Sequence, residues 1–462
     1  MNHSSRLGKK TIISLLLEFS IPAIIGMLVN ALYNVVDRIY VGNGVGTLGI
    51  SALALVFPIQ LVIFGFIMLI GVGGASLISI SLGEKRKERA EHIVGNGFTL
   101  LLIIGAITAI LGIVFLKQVL IIIGTTDANY EYAFDYLRII YFFIIFQFIG
   151  YGLNSFIRSE GNPFRSMLSM VAGAVTNIIL DPIFIFGFKM GVKGAAIATG
   201  ISFIVTAAWN FIYFINGKSL LKIKIEHLKP DFLISSSIVK IGLAPFFMQI
   251  VGSTLSILLN NQIKNYGGDN IALAQASLGV IQGFNMIFFM PILGINMGAQ
   301  PIIGFNYGAK LYKRVKITLL YSIIGALILT TICFLICQMF PEYIFKFFNS
   351  TDKQLINFGS RVMRIIMIVF PILGFFIVSS SYFQAIGKPK YALLLGLSRP
   401  LFFLLPLVII IPRFLGLDGV WLSVPLSDIG STLLTALLIM GEFRRLNYKH
   451  ETESSVLIKE TN

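Results

Sequence analysis

Long apolar stretches separated by short polar breaks recur between residues 11 and 440 of the chain. Most are long enough for the roughly 20 residues that an α-helix needs to cross a bilayer, and a helix satisfies its backbone hydrogen bonds internally. The breaks predict twelve helices, near 12–41, 48–82, 91–117, 132–158, 165–187, 192–216, 236–264, 272–306, 315–340, 356–385, 392–414 and 418–440. The pattern therefore predicts an all-α integral membrane protein with twelve transmembrane helices.

Composition strengthens this prediction. Of the 462 residues, 56% are apolar and only 12% are charged, against about 25% charged in an ordinary soluble domain. That balance excludes a soluble enzyme. The first apolar run follows three early cations, as in a secretory signal, but it continues past Pro22 without a small-residue cleavage site. It is therefore interpreted as the first spanning helix.

The net charge of +15 is informative about how the chain is oriented in the membrane. With twelve helices, 23 of the loop and tail lysines and arginines fall on one side and seven on the other. Because cytoplasmic loops carry the excess of cations, the rich side is predicted to be cytoplasmic, together with both termini. The charge therefore gives no reason to expect nucleic-acid binding.

The two halves of the chain repeat one another. Matched positions, at offsets of 223 to 226 residues, are Pro22 with Pro245, Gly83 with Gly308, Gly161-Asn162-Pro163 with Gly387-Lys388-Pro389, and Gly191 with Gly416. Each half holds six helices, an even number, so both copies insert in the same orientation as a parallel repeat. We expect an N-terminal lobe (1–216), a cytoplasmic linker (217–235) and a C-terminal lobe (236–462), with a cavity between the lobes.

Polar side chains at helical spacing mark four helices of the first lobe. Residues at i, i+3, i+4 and i+7 share one face of a helix, and an ionisable group at membrane depth costs a few kcal/mol. The polar stripes comprise Asn30, Tyr33, Asn34 and Asp37 in helix 1; Gln147, Tyr151 and Asn154 in helix 4; Asn177 and Asp181 in helix 5; and Thr199 in helix 6. We expect them to converge on an interior site, with a bend at Pro182 beside Asp181. A purely structural role stays open for both acids.

The second lobe lacks these acids. At the repeat offsets Asp37 becomes Asn260 and Asp181 becomes Leu407. The polar residues of helices 8 and 10 are neutral, namely Gln275, Gln282, Asn285, Asn296, Ser379, Ser380, Ser381 and Gln384. Arg399 and Asp428 are predicted to form a structural ion pair. The lobes have therefore specialised.

Motifs for catalysis or cofactor binding are not found in the sequence. The histidines His3, His92, His227 and His450 lack metal-ligand spacing, and no nucleophile with a partner base can be assembled. We expect no cofactor and no enzyme activity, so energy for transport would come from an ion gradient.

Four segments resemble the multidrug and toxic compound extrusion (MATE) family, closest to its MepA-like branch near the DinF-like group. They are residues 21–38, the turn Gly161-Asn162-Pro163, and residues 177–182 and 194–199. The resemblance covers about residues 10–450 and implies a two-lobed drug antiporter that alternates between outward and inward access. It also implies a coupling-ion site at the positions Asp37, Asn154, Asn177, Asp181 and Thr199. Other branches place essential acids in helices 7 and 10, but helix 7 here has Asn260 and Asn261.

The resulting hypothesis is export of amphipathic, often cationic compounds in exchange for H⁺ or Na⁺, across a bacterial cytoplasmic membrane and by a single chain. Two acids with amides suit a proton, while Asp37, Asp181, Asn177 and Thr199 also offer the oxygen ligands that Na⁺ prefers. The alternative function is a lipid-linked precursor flippase of the same superfamily. Its cavity needs several cations for a pyrophosphate, and few interior lysines or arginines are visible in the sequence.

Overall fold

The computed structural model describes residues 6–217, 219–348 and 352–461, and these form helices without strands. The long helices are α1 (Ile12–Val45), α2 (Thr47–Gly83), α3 (Lys87–Val114), α4 (Asp127–Ser159), α5 (Pro163–Pro182), α6 (Val192–Ile215), α7 (Phe232–Tyr266), α8 (Ile271–Gly308), α9 (Tyr312–Met339), α10 (Lys353–Met367 and Phe370–Ala385), α11 (Pro389–Leu397, continued to Ile410) and α12 (Pro412–Thr461, broken at Gly416). In this part of the chain, eleven helices are long and apolar enough to cross a membrane, or twelve if the two segments of α10, bent by 47°, form one span. The predicted all-α membrane architecture is confirmed.

Helix boundaries differ from the prediction mainly where polar residues extend a helix. Helix α4 begins at Asp127, five residues earlier than predicted, because a capping box at Thr126 starts it: the Thr126 N–H donates to Asn129 Oδ1 at 2.9 Å. Two short helices, Leu116–Ile122 and Pro341–Phe348, were not predicted. Both are too short to give the long apolar run on which the prediction relied.

The predicted irregularity beside Asp181 takes the form of a π-helical turn. Helix α5 ends at Pro182, and residues Ile183–Gly187 continue it with the wider winding, in which the Phe188 N–H donates to the Ile183 carbonyl at 2.9 Å. Proline lacks the N–H that would continue the regular ladder. The wider turn supplies hydrogen bonds beyond the proline, just after the acid.

Two hydrophobic cores correspond to the two halves of the chain, and each also includes residues from the other half. The first core runs from Val41 to Leu221 and also takes Ile238 of α7; the second runs from Ala244 to Leu446 and also takes the segment from Leu7 to Phe19. Each lobe thus holds the beginning of a helix that belongs to the other half of the sequence. These exchanges join the lobes at one face of the molecule.

That face, here called the linker face, carries the segment 216–231 that joins α6 and α7. Near it, α2 and α7 approach so closely that a Cβ on Gly242 would lie 1.7 Å from the Leu69 carbonyl oxygen, and one on Gly73 would lie 2.1 Å from the Ile238 carbonyl oxygen. Only glycine permits such backbone contact. The lobes are therefore packed tightly at the linker face, and a cavity lies between them.

Candidate ion and substrate site

The central cavity has a volume of about 650 Å³ and is lined by both lobes. Much of its wall consists of aromatic, methionine and aliphatic side chains, which suit apolar ligands. Seven of the nine predicted site residues line it, namely Tyr33, Asn34, Asp37, Gln147, Tyr151, Asn154 and Thr199. The other two, Asn177 and Asp181, are fully buried at 0% exposure behind that wall.

Helices α1, α5 and α6 bring the two acids together. The Asn177 amide donates to Asp181 Oδ1 at 3.3 Å and to Thr199 Oγ1 at 3.3 Å. Asp37 of α1 lies close enough to Asp181 for the two carboxylates to interact electrostatically. The predicted meeting of Asp37 and Asp181 is therefore present, with one acid at the cavity wall and the other sealed behind it.

Three oxygen atoms of this acid pair and its amide have no partner. Asp37 Oδ1, Asp181 Oδ2 and Asn177 Oδ1 are buried and accept no hydrogen bond within the described part of the chain. Buried polar atoms are rarely left unsatisfied, so each such atom calls for an explanation. The two carboxylate oxygens are acceptors when ionised, and the amide oxygen is an acceptor in its neutral form. Their arrangement can take up a proton or a small hard cation.

Tyr136 is a site residue that the sequence analysis missed. Its hydroxyl is within hydrogen-bond reach of Thr199 and close enough to Asp37 and Asp181 to interact with them electrostatically, and the residue lines the cavity. It stands 11 residues, or about three helical turns, before Gln147 and therefore continues the polar stripe of α4. Tyr136 lies inside the predicted helix 132–158, so extending the stripe backwards from Gln147 would have found it.

Asn154 is not brought into contact with the acids. Its amide donates to the Ser166 carbonyl at 2.7 Å and to Ser169 Oγ at 2.7 Å, and its Oδ1 accepts from Ser166 Oγ at 2.8 Å. These bonds fasten α4 to the start of α5. The structure therefore brings Asn177, but not Asn154, into hydrogen-bond contact with Asp181.

The remaining first-lobe residues show two kinds of contact. The Tyr151 hydroxyl accepts from the Asn30 amide at 2.9 Å, which joins α4 to α1. Asn34 donates to the Asn30 carbonyl of its own helix at 2.7 Å. Gln147 is buried, and its Oε1 has no partner among the described residues. The polar stripes of α1 and α4 therefore meet along the cavity wall.

The second lobe contributes neutral groups and one ion pair. Asn296 donates to Ser381 Oγ at 2.6 Å, and both line the cavity. The cavity does not reach the predicted polar residues Gln275, Gln282 and Asn285. Arg399 Nε lies 2.5 Å from Asp428 Oδ1, which confirms the predicted pair. Arg399 also lines the cavity.

Three arginines, Arg38, Arg158 and Arg399, line the cavity. This corrects the expectation of few interior cations. Arg158 was not singled out from the sequence because it is the last residue of the predicted helix 132–158, but in the structure it occupies the last turn of α4 and is buried. It lies four residues after Asn154 and thus extends the same stripe at its other end.

Comparison with known proteins decides the family. The MatE family profile matches residues 22–183 and 244–409, one match in each half. The chain belongs to the MatE family. Multidrug export protein MepA of Staphylococcus haemolyticus (strain JCSC1435) is 27% identical over 438 residues, 95% of each chain. The MepA protein of Staphylococcus aureus (strain N315) is 27% identical over 432 residues, 94% of each chain.

Solved structures of MATE transporters share the fold. A multidrug resistance MATE family transporter in an outward-facing conformation superposes with a TM-score of 0.89 at 26% identity, covering 96% of this chain and 98% of that one. The MATE multidrug transporter DinF-BH in complex with R6G gives a TM-score of 0.88 at 38% identity, covering 95% and 98%. The predicted MATE membership, related to MepA and DinF, and the two-lobed fold are confirmed.

Proposed function

We propose that this MatE transporter exports amphipathic, often cationic compounds in exchange for protons. One observation carries the proposal: the buried pair of Asp37, which lines a largely apolar cavity, and Asp181 behind it, each with an unsatisfied oxygen. Two neighbouring carboxylates that interact share their protons as a pair. The pair can therefore exchange protons while Asp37 faces the substrate.

The charge of the pair links the proton to the substrate. With both acids ionised, two negative charges lie in a site shielded from water, which is unfavourable at membrane depth. A cationic substrate at Asp37 or a proton on Asp181 relieves that repulsion. Binding of one therefore weakens binding of the other, which is the condition for exchange.

Sodium is the alternative coupling ion. Carboxylate, amide and hydroxyl oxygens from Asp37, Asp181, Asn177 and Thr199 make a donor set that hard cations accept. The Asn177 amide already bridges Asp181 and Thr199. Such an ion would use the same oxygens as the proton.

Transport by alternating access requires the cavity to open alternately at the linker face and at the opposite face of the molecule. The cations of the loops and termini favour a cytoplasmic linker face, with both chain ends inside. The staphylococcal origin of the MepA relatives favours a bacterial cytoplasmic membrane. Because the cavity lies within one chain, we expect the monomer to suffice, with the drug, the ion and the bilayer as its only partners.

Reconstitution tests the proposal. In sodium-free liposomes, an imposed pH gradient should move ethidium, and Asp181→Asn should lower the rate by about tenfold or more, because the amide keeps the shape but cannot become an anion. Asp135→Asn is the matched control, since Asp135 belongs to the same lobe but pairs with Lys193 at 3.2 Å and is partly exposed. It should retain normal transport.

Two outcomes would contradict parts of this proposal. Movement only under a sodium gradient would overturn the proton assignment and keep the site. Normal transport by Asp181→Asn, at matched protein abundance, would return Asp181 to a structural role.

The second candidate function is a lipid-linked precursor flippase, which the three cavity arginines favour. Arg399 is already paired with Asp428, and Arg38 is exposed and lies over the Phe57 ring at 5.8 Å. Only Arg158 is both buried and without a carboxylate partner among the described residues. One such cation suits a single anionic group better than a pyrophosphate, so antiport is preferred.

A further inference from the structure

The cavity has two ends with different electrostatic character. Tyr136, near the acid pair, and Arg158 are 22 residues apart on α4 and both line the cavity. At 1.5 Å per residue they are separated by about 33 Å along the helix axis. Arg158 therefore lies at the linker-face end of the cavity, far from Asp37 and Asp181.

The Arg158 guanidinium has few contacts for a buried cation. The side chain is 4% exposed, and its one hydrogen bond to a described residue runs from Nη1 to Asn154 Oδ1 at 3.4 Å. A guanidinium has five N–H donors. The Arg158 nitrogens that have no partner among the described residues are all accessible to solvent-sized space. The remaining donors therefore face the cavity that Arg158 lines.

Nearby groups do not neutralise this charge. Glu160, two residues further on, accepts hydrogen bonds from Tyr213, from Ser219 Oγ at 2.6 Å and from the Leu221 N–H at 3.4 Å. In the described chain it makes no ion pair with Arg158. The C-terminal end of α4 favours a nearby cation, but the helix dipole occupies none of the guanidinium donors. A desolvated arginine with free donors is a binding group for an anion.

We propose that Arg158 binds the anionic group of an amphiphile, a single carboxylate or phosphate, whose apolar body lies along the cavity. The body would contact the methionine and aromatic wall, which includes Met68, Met248 and Phe289. The planar fork of arginine matches both anions bidentately. This inference rests on the proposed function for the direction of movement, and it adds a ligand class that binds at the opposite end from cationic drugs.

Equilibrium binding tests the proposal without any transport step. Full-length protein in nanodiscs of neutral phosphatidylcholine is titrated with 11-(dansylamino)undecanoic acid and with its uncharged methyl ester. The wild type should bind the acid about tenfold more tightly than the ester, as expected for a hydrogen-bonded charge pair. Arg158→Gln should abolish that preference and leave ester binding unchanged. Arg158→Lys should keep part of it, because the charge remains and the fork is lost.

A matched control separates the cavity arginine from general surface charge. Arg165→Gln removes a cation two residues into α5, outside the cavity lining. It should keep the full preference for the acid. Unchanged ester binding and an unchanged thermal midpoint show that the Arg158→Gln protein is folded.

Equal binding of acid and ester by the wild type, or a retained preference in Arg158→Gln, would overturn the proposal. Two sources of the anion are distinguished by replacing a quarter of the lipid with phosphatidylglycerol. If phosphatidylglycerol competes with the probe in the wild type but not in Arg158→Gln, the anion is a lipid headgroup. If phosphatidylglycerol does not compete in the wild type, the anion belongs to a water-borne amphiphile. Ethidium transport by the same proteins in liposomes keeps the tests separate: normal transport without an acid preference defeats this inference alone, and lost transport with the preference retained defeats the proposed function alone.

Discussion

At the scale of single residues, Glu160 is the buried acid whose environment is most completely defined. It follows α4 directly and is 1% exposed. The Tyr213 hydroxyl donates to its Oε1, and Ser219 Oγ and the Leu221 N–H donate to its Oε2. One carboxylate therefore fastens the end of α4 to α6 and to the segment that leads into the second lobe.

Burial raises the pKa of Glu160 from 4.5 to about 7, although the hydrogen bonds from Ser219 and Tyr213 oppose the shift. The folded protein thus keeps this proton to a higher pH than the unfolded chain, so the stability contributed by this group falls as the pH rises from 4.5 to 7. Glu160→Gln cannot ionise. We predict that the free energy of unfolding of the variant, relative to that of the wild type, rises by about 3 kcal/mol between pH 4.5 and pH 7. Above pH 7 the difference should stay constant.

Denaturation at several pH values checks this prediction. The free energy of unfolding of the wild type is subtracted from that of the variant at each pH, and the difference is plotted against pH. Glu84→Gln is the control, because Glu84 lies on the same face but is exposed to solvent between Arg86 at 3.4 Å and Arg89 at 3.5 Å. Glu84→Gln should change the free energy of unfolding by no more than about 1 kcal/mol, as expected for the loss of exposed ion pairs. A flat curve for Glu160→Gln would mean that folding does not raise the pKa of Glu160.

How much of the site was predictable depends on the kind of contact. Asp37, Asn177 and Asp181 follow from helical spacing, because an acid at membrane depth needs a partner and residues one turn apart share a face. The hydrogen-bond partners of Asn154 cannot be predicted from helical spacing, since an amide can bond to any of several neighbouring helices. Arg158 was missed because a cation at a helix end has the same sequence signal whether it faces a cavity or a loop.

At the scale of helices, closure of the linker face depends on the contact between α2 and α7. A Cβ at position 242 would meet the Leu69 carbonyl, a backbone atom that cannot move without moving its helix. Overpacking of this kind costs about 1–3 kcal/mol. We predict that Gly242→Ala disfavours the closed linker face by about 10- to 100-fold and slows transport accordingly.

Spin labels on facing turns report this change directly. Labels at Glu84 and Lys313, both exposed, should show a longer distance distribution in Gly242→Ala. Gly279→Ala is the control, because a Cβ there has no atom within 4 Å. An unchanged distribution in Gly242→Ala, with normal transport, would show that α2 and α7 have room to adjust.

The helices themselves were largely predictable, because in a bilayer only a continuous helix satisfies the backbone. Length and hydropathy therefore located the spans to within a few residues in most cases. The π-helical turns at Ile183–Gly187 and Ser398–Leu404 were not predictable in form. A proline indicates an interruption, but the winding that replaces the lost hydrogen bond depends on the neighbouring helices.

At the scale of the whole molecule, the repeat is visible in the backbone as well as in the sequence. Gly83 approaches the Phe305 carbonyl, where a Cβ would lie at 2.0 Å, and Gly308 approaches the Ile80 carbonyl, where it would lie at 2.1 Å. Both pairs are related by the offset of 225 residues, so the two contacts are reciprocal. Reciprocal contacts are those of a two-fold axis, and with six helices in each half this axis runs along the membrane normal.

A parallel repeat places both chain ends and the segment 216–231 at one face, so a single test orients the whole molecule. We predict that the linker face is cytoplasmic, because the excess of lysine and arginine lies there. Single cysteines at Asp127 and Lys222, both exposed, are compared in a variant without the two buried native cysteines, Cys333 and Cys337. In intact cells an impermeant thiol reagent should label position 127 and not position 222, and opening the cells should make both reactive. Labelling of position 222 but not 127 in intact cells would reverse the orientation and, with it, the direction in which the Asp37 and Asp181 site meets the external proton.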